Sequence, residues 1–316
     1  MPRRSGLLRA RPVALALGSV LLVAAATLGV SLAAGPPVVV RIGAAGDIAC
    51  DPGSDQFGGQ VPVVCQERAT SELFVAQDLD AVLPLGDTQY DSGALADYRR
   101  SYAPTWGRFL SISHPVPGNH EYRTKNAAGY WDYFGAAAGE SGKGWYSFDL
   151  GRWHLVALNG TCDQVDCGEN SEQVAWLRRD LAEHDEACVL AYWHYPLWSG
   201  GESRSGEGSD VRVRPLFQAL YDAGADVVLN GHNHAYERFG PRSPDGAADP
   251  ARGVRQFVVG TGGRSHYPTS TRAGAEVVDD TSFGVLMMTL RPGGYDWRFV
   301  PAPGGSFTDS GSASCH

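Results

Sequence analysis

Lysine is nearly absent from this chain of 316 residues: Lys125 and Lys143 are the only two, and arginine carries the rest of the positive charge. Acidic residues outnumber basic ones, with 35 Asp and Glu against 26 Lys and Arg and a formal net charge of −9. A general nucleic-acid-binding protein needs a basic face toward the phosphate backbone. The charge balance therefore argues against a nucleic-acid partner.

Low-complexity composition is also lacking. Apolar residues make up 43% of the chain, and eight Trp, eleven Phe and thirteen Tyr are spread along it, so disorder is excluded as its general state. Beyond the amino-terminal segment there is no linker, repeat or break in composition, so we expect one domain over residues 35–316. Forty Gly and nineteen Pro predict many turns and long loops, which suits a site built from loops.

The amino-terminal segment, residues 1–34, has the pattern of an export signal. Four arginines within the first eleven residues precede an uncharged apolar run from Val13 to Ala34, which ends in small residues. This pattern is typical of a cleaved signal peptide. Because 22 residues can also span a bilayer, an uncleaved membrane anchor stays open. In either case we expect a secreted or cell-envelope protein, with membrane contact only through an uncleaved segment.

No C-x-x-C pair occurs among the six cysteines, which argues against a thiolate metal site. In an exported protein six cysteines indicate a disulfide framework, although they permit many pairings and the sequence alone does not choose among them. The pairs suggested by closeness in the sequence are Cys50–Cys65 and Cys162–Cys167, which leaves Cys188–Cys315. This last pair would hold a tail rich in Gly and Ser.

Short apolar runs that are typical of buried strands alternate with helical patterns. The runs are Val38–Ala45, Ala81–Leu85, Ile112–Val116, Cys188–Trp193 and Asp226–Asn230. Apolar residues at helical spacing lie between several of them, around Leu73, Leu177 and Leu220, and Ser171 is placed to cap the second of these helices. This alternation predicts an α/β fold with much parallel pairing.

Further strands follow one another without a helical pattern between them. A hairpin is expected across Gly151, between Trp145–Leu150 and Arg152–Leu158. Three more strands are expected over Gln256–Gly260, Phe283–Leu290 and Tyr295–Val300. The sheet system should therefore be mixed and should consist of two sheets.

Polar side chains follow each buried run at the point where the strand ends. In chain order these five ligand loops are Gly46-Asp47, residues 86–90 (GDTQY), residues 118–121 (GNHE), His194, and residues 231–234 (GHNH). Loops beyond the carboxyl ends of parallel strands meet in one crevice, so these side chains should meet in space. Asp47 alone would more often cap a helix or form a turn, but five successive strand ends argue against coincidence. Oxygen and imidazole ligands favour Zn, Mn or Fe.

In the order and spacing of these five loops the chain resembles the calcineurin-like metallophosphoesterases, and more closely the purple acid phosphatases. The resemblance implies a four-layer α/β/β/α sandwich with two mixed sheets. It places Asp47, Asp87, Tyr90 and His234 around one metal ion, and Asp87, Asn119, His194 and His232 around the other. It also implies that His120 binds no metal and faces the leaving group.

The implied activity is hydrolysis of a small phosphoric monoester by a dinuclear metal centre. Two cations clamp the phosphate and convert a bound water into the attacking hydroxide. A protonated histidine then supplies a proton to the departing alkoxide. The resemblance implies Fe with a divalent partner, which can be Fe, Zn or Mn.

The pattern departs from the superfamily at Ala49, where families with a D-x-H first motif have a metal-binding histidine. Tyr90 must then complete the first site, which favours the purple type. Two alternatives stay open: a phosphodiesterase acting on nucleotides or phospholipid headgroups, and a non-catalytic metal-binding protein of the cell envelope. In the Gly-rich loop near residue 263, Arg264 and His266 are possible substrate contacts, whereas His154 is expected to be structural.

Overall fold

The computed structural model describes residues 1–2, 38–58, 64–184, 188–201 and 208–316. The predicted export segment therefore lies outside the described residues, apart from its first two. The described residues from Val38 onward belong to one compact unit. No helix within the described ranges is both long and apolar enough to cross a bilayer.

Two mixed sheets organise the described chain. Their strands are β1 (Val40–Ala45), β2 (Ala81–Pro84), β3 (Tyr146–Leu150), β4 (Trp153–Ala157), β5 (Cys188–Tyr192), β6 (Val227–Asn230), β7 (Tyr236–Arg238), β8 (Arg255–Val259), β9 (Val277–Asp279), β10 (Gly284–Arg291), β11 (Gly294–Pro301) and β12 (Ser310–Ser314). The α-helices are α1 (Glu67–Val75), α2 (Leu95–Asp97), α3 (Ala128–Phe134), α4 (Glu172–Glu183) and α5 (Arg214–Asp222).

The five-stranded sheet has the order β12-β11-β10-β1-β2, and the seven-stranded sheet has the order β3-β4-β5-β6-β8-β7-β9. β1 and β2 pair in parallel, as do β4, β5, β6 and β8, while the remaining pairs are antiparallel. Of the parallel strands, β1 and β2 in the first sheet and β5 and β6 in the second end at ligand loops, so both sheets contribute to the site.

Side chains along a buried strand point alternately to the two faces of its sheet, and this shows how the layers of the fold are packed. In β5, Leu190 and Tyr192 belong to the core between the two sheets, whereas Val189 and Ala191 belong to a second core with α4 and α5. Successive strand residues point to opposite faces, so this strand is buried on both sides. On the five-stranded sheet, α1 packs so closely that a Cβ on Gly43 would lie 2.4 Å from the Phe74 ring. The four-layer α/β/β/α fold is confirmed.

Most of the helices and strands predicted from the sequence are confirmed. The helices around Leu73, Leu177 and Leu220 are present, and the Ser171 hydroxyl accepts a hydrogen bond from the N–H of Val174 as the cap of α4. The hairpin across Gly151 is present as β3 and β4. All three predicted disulfides are formed, and the described chain contains no free cysteine.

The strand predicted over Ile112–Val116 is wrong. Residues up to Ile112 form a 3₁₀ helix, and only one isolated bridge joins Ser113 to Val82. Pro115 and Pro117 lack the N–H groups that a regular ladder requires. The segment nevertheless runs beside β2, because the N–H groups of His114 and Val116 donate to β2 carbonyls. The segment therefore still positions the loop of residues 118–121 at the site.

Candidate metal centre

The chain turns sharply at three of the predicted ligands. Asp47, Asp87 and His232 have φ angles of 59°, 46° and 71°, in the left-handed region that residues other than glycine rarely adopt. Such strain persists where surrounding contacts hold it, commonly at functional sites. Here hydrogen bonds between loops hold it: the N–H of His232 donates to Asp47 Oδ2 over 2.8 Å, and the N–H of Asp47 donates to the Gly86 carbonyl over 3.1 Å.

Two glycines allow the loops to approach each other. A Cβ on Gly118 would lie 2.2 Å from Asp87 Oδ1, and one on Gly86 would lie 2.6 Å from His194 Nδ1. Any other residue at these positions would push a ligand side chain away. The glycines that precede the ligands in the sequence are therefore required by packing in the site.

The first donor group consists of Asp47, Asp87, Tyr90 and His234. The Tyr90 hydroxyl oxygen lies 2.9 Å from Asp47 Oδ1, 3.1 Å from Asp87 Oδ2 and 2.9 Å from His234 Nε2. A single hydroxyl proton cannot satisfy two carboxylates, which are acceptors only. These side chains are almost fully buried, and two carboxylate oxygens, a phenol oxygen and an imidazole nitrogen facing one another form a donor set that suits a cation.

The second donor group consists of Asp87, Asn119, His194 and His232. His194 Nε2 lies 3.4 Å from Asp87 Oδ2, 3.2 Å from Asn119 Oδ1 and 3.3 Å from His232 Nδ1. The opposite nitrogen, Nδ1, lies 2.8 Å from the carbonyl of Leu85 and donates to it. A neutral His194 ring therefore presents the lone pair of Nε2 to the group, the usual arrangement of a metal-binding histidine.

The spacing of both groups suits two ions that share Asp87. Ligand atoms about 2.1 Å from one ion lie about 3.0–3.4 Å from each other in octahedral or tetrahedral geometry. The contacts within the two groups span 2.9–3.4 Å. Asp87 Oδ2 belongs to both groups, as a bridging ligand would. The residues present therefore fit two metal ions.

Burial and neighbouring charges shift the proton equilibria of these ligands. Burial raises the pKa of Asp87, but the imidazoles of His194 and His120 outweigh it and hold that pKa well below its usual range. Burial lowers the pKa of His194, but Asp87 outweighs it and raises that pKa to about 9. Burial, Asp47 and Asp87 all raise the pKa of Tyr90 well above its ordinary value. Without a strongly acidic cation Tyr90 therefore stays a phenol.

His120 lies beside both donor groups without contributing to either. Its Nδ1 lies 2.6 Å from the carbonyl oxygen of Asp91 and donates to it, while Nε2 lies 3.8 Å from Asp87 Oδ2. The ring packs on Tyr90 with 4.1 Å between ring centroids. The carbonyl of Asp91 and the ring of Tyr90 thus hold His120 in place, with Nε2 on the side of the two donor groups.

A polar cavity of about 360 Å³ opens beside the two groups. It is lined by Asp87, Tyr90, Asp91, Asn119, His120, Arg123, Tyr195, His232, His234, Arg264 and Tyr267. Arg264 places its guanidinium 5.2 Å from the Tyr90 ring centroid, and its buried Nε has no hydrogen-bond partner. In the described part of the chain this guanidinium forms neither a hydrogen bond nor an ion pair.

The structure places His266 outside the lining of this cavity. Its ring packs against Phe283 with 3.9 Å between centroids, and its Nδ1 lies 3.4 Å from the carbonyl oxygen of His234. Burial lowers the pKa of His266. Of the two suggested substrate contacts, only Arg264 reaches the cavity.

Two tyrosines of the cavity were not predicted as site residues. Tyr267 stacks on His234 with 3.9 Å between ring centroids, and Tyr195 packs against His232 at 4.1 Å. Each therefore covers one of the two histidines of the fifth ligand loop. Tyr195 follows His194 directly, but nothing in the spacing of either tyrosine distinguishes it from an aromatic residue of the core.

A second cluster of histidine and aspartate lies between β3, β4 and α4. His154 has Nδ1 2.7 Å from Asp149 Oδ1 and Nε2 2.8 Å from Asp180 Oδ2, and its ring stacks on His184 at an interplanar angle of 12°. Nearly parallel imidazoles cannot both direct in-plane lone pairs at one ion. Two carboxylates on the two ring nitrogens instead require an imidazolium. His154 is structural, as expected from the sequence.

The model of one protein family, calcineurin-like phosphoesterase, matches residues 40–236. The chain belongs to this family. Among curated proteins it is similar to purple acid phosphatases 15 and 23 of Arabidopsis thaliana, with 29% identity over 246 residues and 33% over 241 residues. These matches cover 67% and 66% of this chain but only 45% and 52% of the relatives, so the chain spans about half their length.

Solved structures support the fold. A purple acid phosphatase from seeds of yellow lupin (Lupinus luteus) superposes with a TM-score of 0.70 at 19% identity, covering 88% of this chain and 54% of that one. Among the curated protein sequences, a further relative is the human protein named acid phosphatase type 7. It is 28% identical over 188 residues, which cover 51% of this chain and 41% of the relative. The resemblance predicted from the five ligand loops is confirmed.

Proposed function

We propose that this protein is an exported dinuclear-metal phosphatase that hydrolyses phosphoric monoesters. The observation that carries the proposal is the pair of donor groups that share Asp87 Oδ2, beside a cavity whose lining includes the imidazole of His120 and the unpaired guanidinium of Arg264. The acid phosphatase names of several relatives support it. Export is supported by three disulfides, which persist in oxidising compartments.

The metal pair we propose is Fe with a divalent partner, which can be Fe, Zn or Mn. Asp47, Asp87, Tyr90 and His234 would hold one ion, and Asp87, Asn119, His194 and His232 the other. Two ions held by these residues would activate the attacking water and would neutralise charge on the phosphoryl oxygens. Ferric iron suits the first position, because only a strongly acidic cation displaces the proton of a phenol whose pKa is raised.

His120 is proposed to protonate the leaving group. With Nδ1 donating to the Asp91 carbonyl, the free nitrogen Nε2 stands on the cavity side. A proton on Nε2 can pass to the departing alkoxide oxygen, and such general acid catalysis typically contributes about 100- to 10,000-fold. A protein that only stored metal would have no use for this histidine.

Arg264 is proposed to bind the phosphate. An arginine without an anionic partner is unusual in a protein with a net charge of −9, and a phosphate in the cavity would supply that partner. A monoester carries more negative charge than a diester, so this residue favours monoesters. Phosphodiester hydrolysis is the alternative that the comparison of a monoester with a diester tests.

The test compares p-nitrophenyl phosphate with bis(p-nitrophenyl) phosphate from pH 4 to 9, with defined metals. We expect the monoester to be hydrolysed with the higher kcat/KM. A higher kcat/KM for the diester would support the phosphodiesterase alternative, and hydrolysis of neither ester with both metals bound would support a non-catalytic metal protein. Sequencing the amino terminus of the secreted protein tests export, with cleavage expected near Ala34.

A further inference from the structure

Glu121 is a fully buried carboxylate to which the proposed reaction assigns no role. It belongs to the third ligand loop (residues 118–121), and most of its partners belong to the second ligand loop (residues 86–90). Its Oε2 accepts the N–H of Asp87 over 2.9 Å and the N–H of Gly118 over 2.7 Å. One oxygen atom therefore joins the backbones of the two loops.

The second oxygen of Glu121 extends this link along the second ligand loop. Oε1 accepts the N–H of Thr88 over 2.9 Å and that of Gln89 over 3.3 Å. The hydroxyls of Thr88 and Tyr98 also lie within 3.1 Å of Oε1 and 2.6 Å from each other. Four backbone N–H groups thus converge on one carboxylate, which offers about four acceptor positions.

Asp87 makes the reciprocal contact, from the second ligand loop to the backbone of the third. Its Oδ1 accepts the N–H of His120 over 2.8 Å, so an acid on each loop binds the backbone of the other. The reciprocal bonds leave Asp87 Oδ2 directed at both donor groups. They also support the strained left-handed backbone of Asp87.

We propose that Glu121 is a positioning residue that fixes Asp87 as the bridge between two metal ions. The inference rests on the proposed dinuclear centre. Without the Glu121 carboxylate the second ligand loop loses the acceptors of three successive N–H groups, and Asp87 Oδ2 is no longer held within reach of both ion positions. One ion can still bind, but the two ions are no longer bridged.

Glu121→Gln separates the acceptor role from the size of the side chain. The amide has nearly the shape of the carboxylate, but its NH₂ group carries two donors and no acceptor. Whichever oxygen it replaces, donors then face donors across the contact between the two loops. The variant therefore replaces half of the acceptors by opposing donors without leaving a cavity, which weakens the link between the two loops.

Glu67→Gln is the matched control. Glu67 is also a buried glutamate, with 5% of its surface exposed, but its Oε2 has no hydrogen-bond partner and its Oε1 lies 3.5 Å from the Ser101 hydroxyl. Its side chain accepts from no ligand loop. We expect this variant to bind metal as the wild type does.

The experiment titrates Mn²⁺ into the metal-free proteins and follows binding by calorimetry and coupling by electron paramagnetic resonance. The wild type and Glu67→Gln should bind two Mn²⁺ per chain with an exchange-coupled spectrum. In folded Glu121→Gln we expect the second Mn²⁺ to bind about 10- to 100-fold more weakly and the spectrum to be that of isolated Mn²⁺. A coupled spectrum with wild-type affinity in Glu121→Gln would overturn the proposal.

Two further results allow the role of Glu121 to be tested separately from the existence of the dinuclear centre. If the wild type itself never shows a coupled pair, the dinuclear centre fails, and this outcome is distinct from failure of the role of Glu121. If Glu121→Gln does not fold, hydrogen exchange in the metal-free wild type replaces it. The amides of residues 87–89 should then be protected, and exchange as fast as in exposed amides would contradict the inference.

Discussion

Asp87 and Tyr90, three residues apart on one loop, meet with 3.1 Å between Asp87 Oδ2 and the Tyr90 hydroxyl oxygen. Burial and two nearby carboxylates raise the pKa of this phenol, so it becomes a phenolate only if a strongly acidic cation replaces its proton. Coordination of an ion by Tyr90 would therefore distinguish an iron-containing purple type from a colourless Zn or Mn enzyme.

Tyr90→Phe should remove a visible absorption band. Protein purified without chelators is expected to show a phenolate-to-iron charge-transfer band, because the phenolate is the light-absorbing ligand. The variant keeps the ring that packs on His120 and loses only the hydroxyl. Optical spectroscopy with metal analysis checks the prediction. Fully active wild type that contains only Zn or Mn and has no band would contradict the iron assignment.

His120→Ala should lower turnover on esters with poor leaving groups by about 100-fold or more, and much less on p-nitrophenyl phosphate. A good leaving group departs without a proton, so it does not need the imidazole. Metal content should stay at the wild-type value, because neither ring nitrogen belongs to a donor group. Equal losses on both kinds of ester, or loss of metal, would remove His120 from the role of proton donor.

Arg264→Gln should raise KM for a phosphomonoester by about tenfold or more, since a charge-assisted hydrogen bond contributes about 1.5–3 kcal/mol. Arg123→Gln serves as the comparison, because Arg123 lines the same cavity but already pairs with Asp91. Its effect on KM should be smaller. Steady-state kinetics of the two variants test the assignment, and an unchanged KM in Arg264→Gln would refute it.

The cluster around His154 should make stability depend on pH. Asp180 and Asp149 raise the pKa of His154 against the opposing effect of burial, and His154 lowers the pKa of Asp180 although burial raises it. Another titratable side chain, His184, faces the cluster, with its Nε2 4.0 Å from Asp149 Oδ2.

The raised pKa of His154 gives stability that is fully present below its unfolded value of about 6.5 and is lost as pH rises through the folded value. The lowered pKa of Asp180 gives stability that is present above about 3.9 and is lost as pH falls through the folded value. Thermal unfolding of His154→Gln should therefore show its largest loss, about 1.5–3 kcal/mol, between these limits. His184→Gln, the control, should lose little, and a loss in His154→Gln that does not vary with pH would contradict this account.

Much of the site was predictable because each ligand directly follows an apolar run. Asp47, Asp87 and His194 each stand two or three residues beyond a strand, and the ends of parallel strands converge in one crevice. Short strands such as β7 and β9, with three residues each, carry too few residues for an alternating pattern. They form because β8 and β7 offer them a neighbouring edge.

The partners of Glu121 were beyond sequence reasoning. The sequence shows an acid after Gly118-Asn119-His120, but three of its four backbone N–H donors lie more than thirty residues earlier in the chain. Any residue except proline has such a group, so its type gives no signal. The same holds for Tyr267, whose place on His234 follows from the path of a Gly-rich loop.

Metal content and monoester hydrolysis of the wild type and Asp87→Asn test the central claim most directly. Asp87 Oδ2 is the atom that both donor groups share, and an amide in its place removes the negative charge between two cations. The wild type should hold two metal ions per chain and hydrolyse p-nitrophenyl phosphate, and Asp87→Asn should lose metal and activity together. An Asp87→Asn protein that keeps two ions and wild-type turnover would contradict the account.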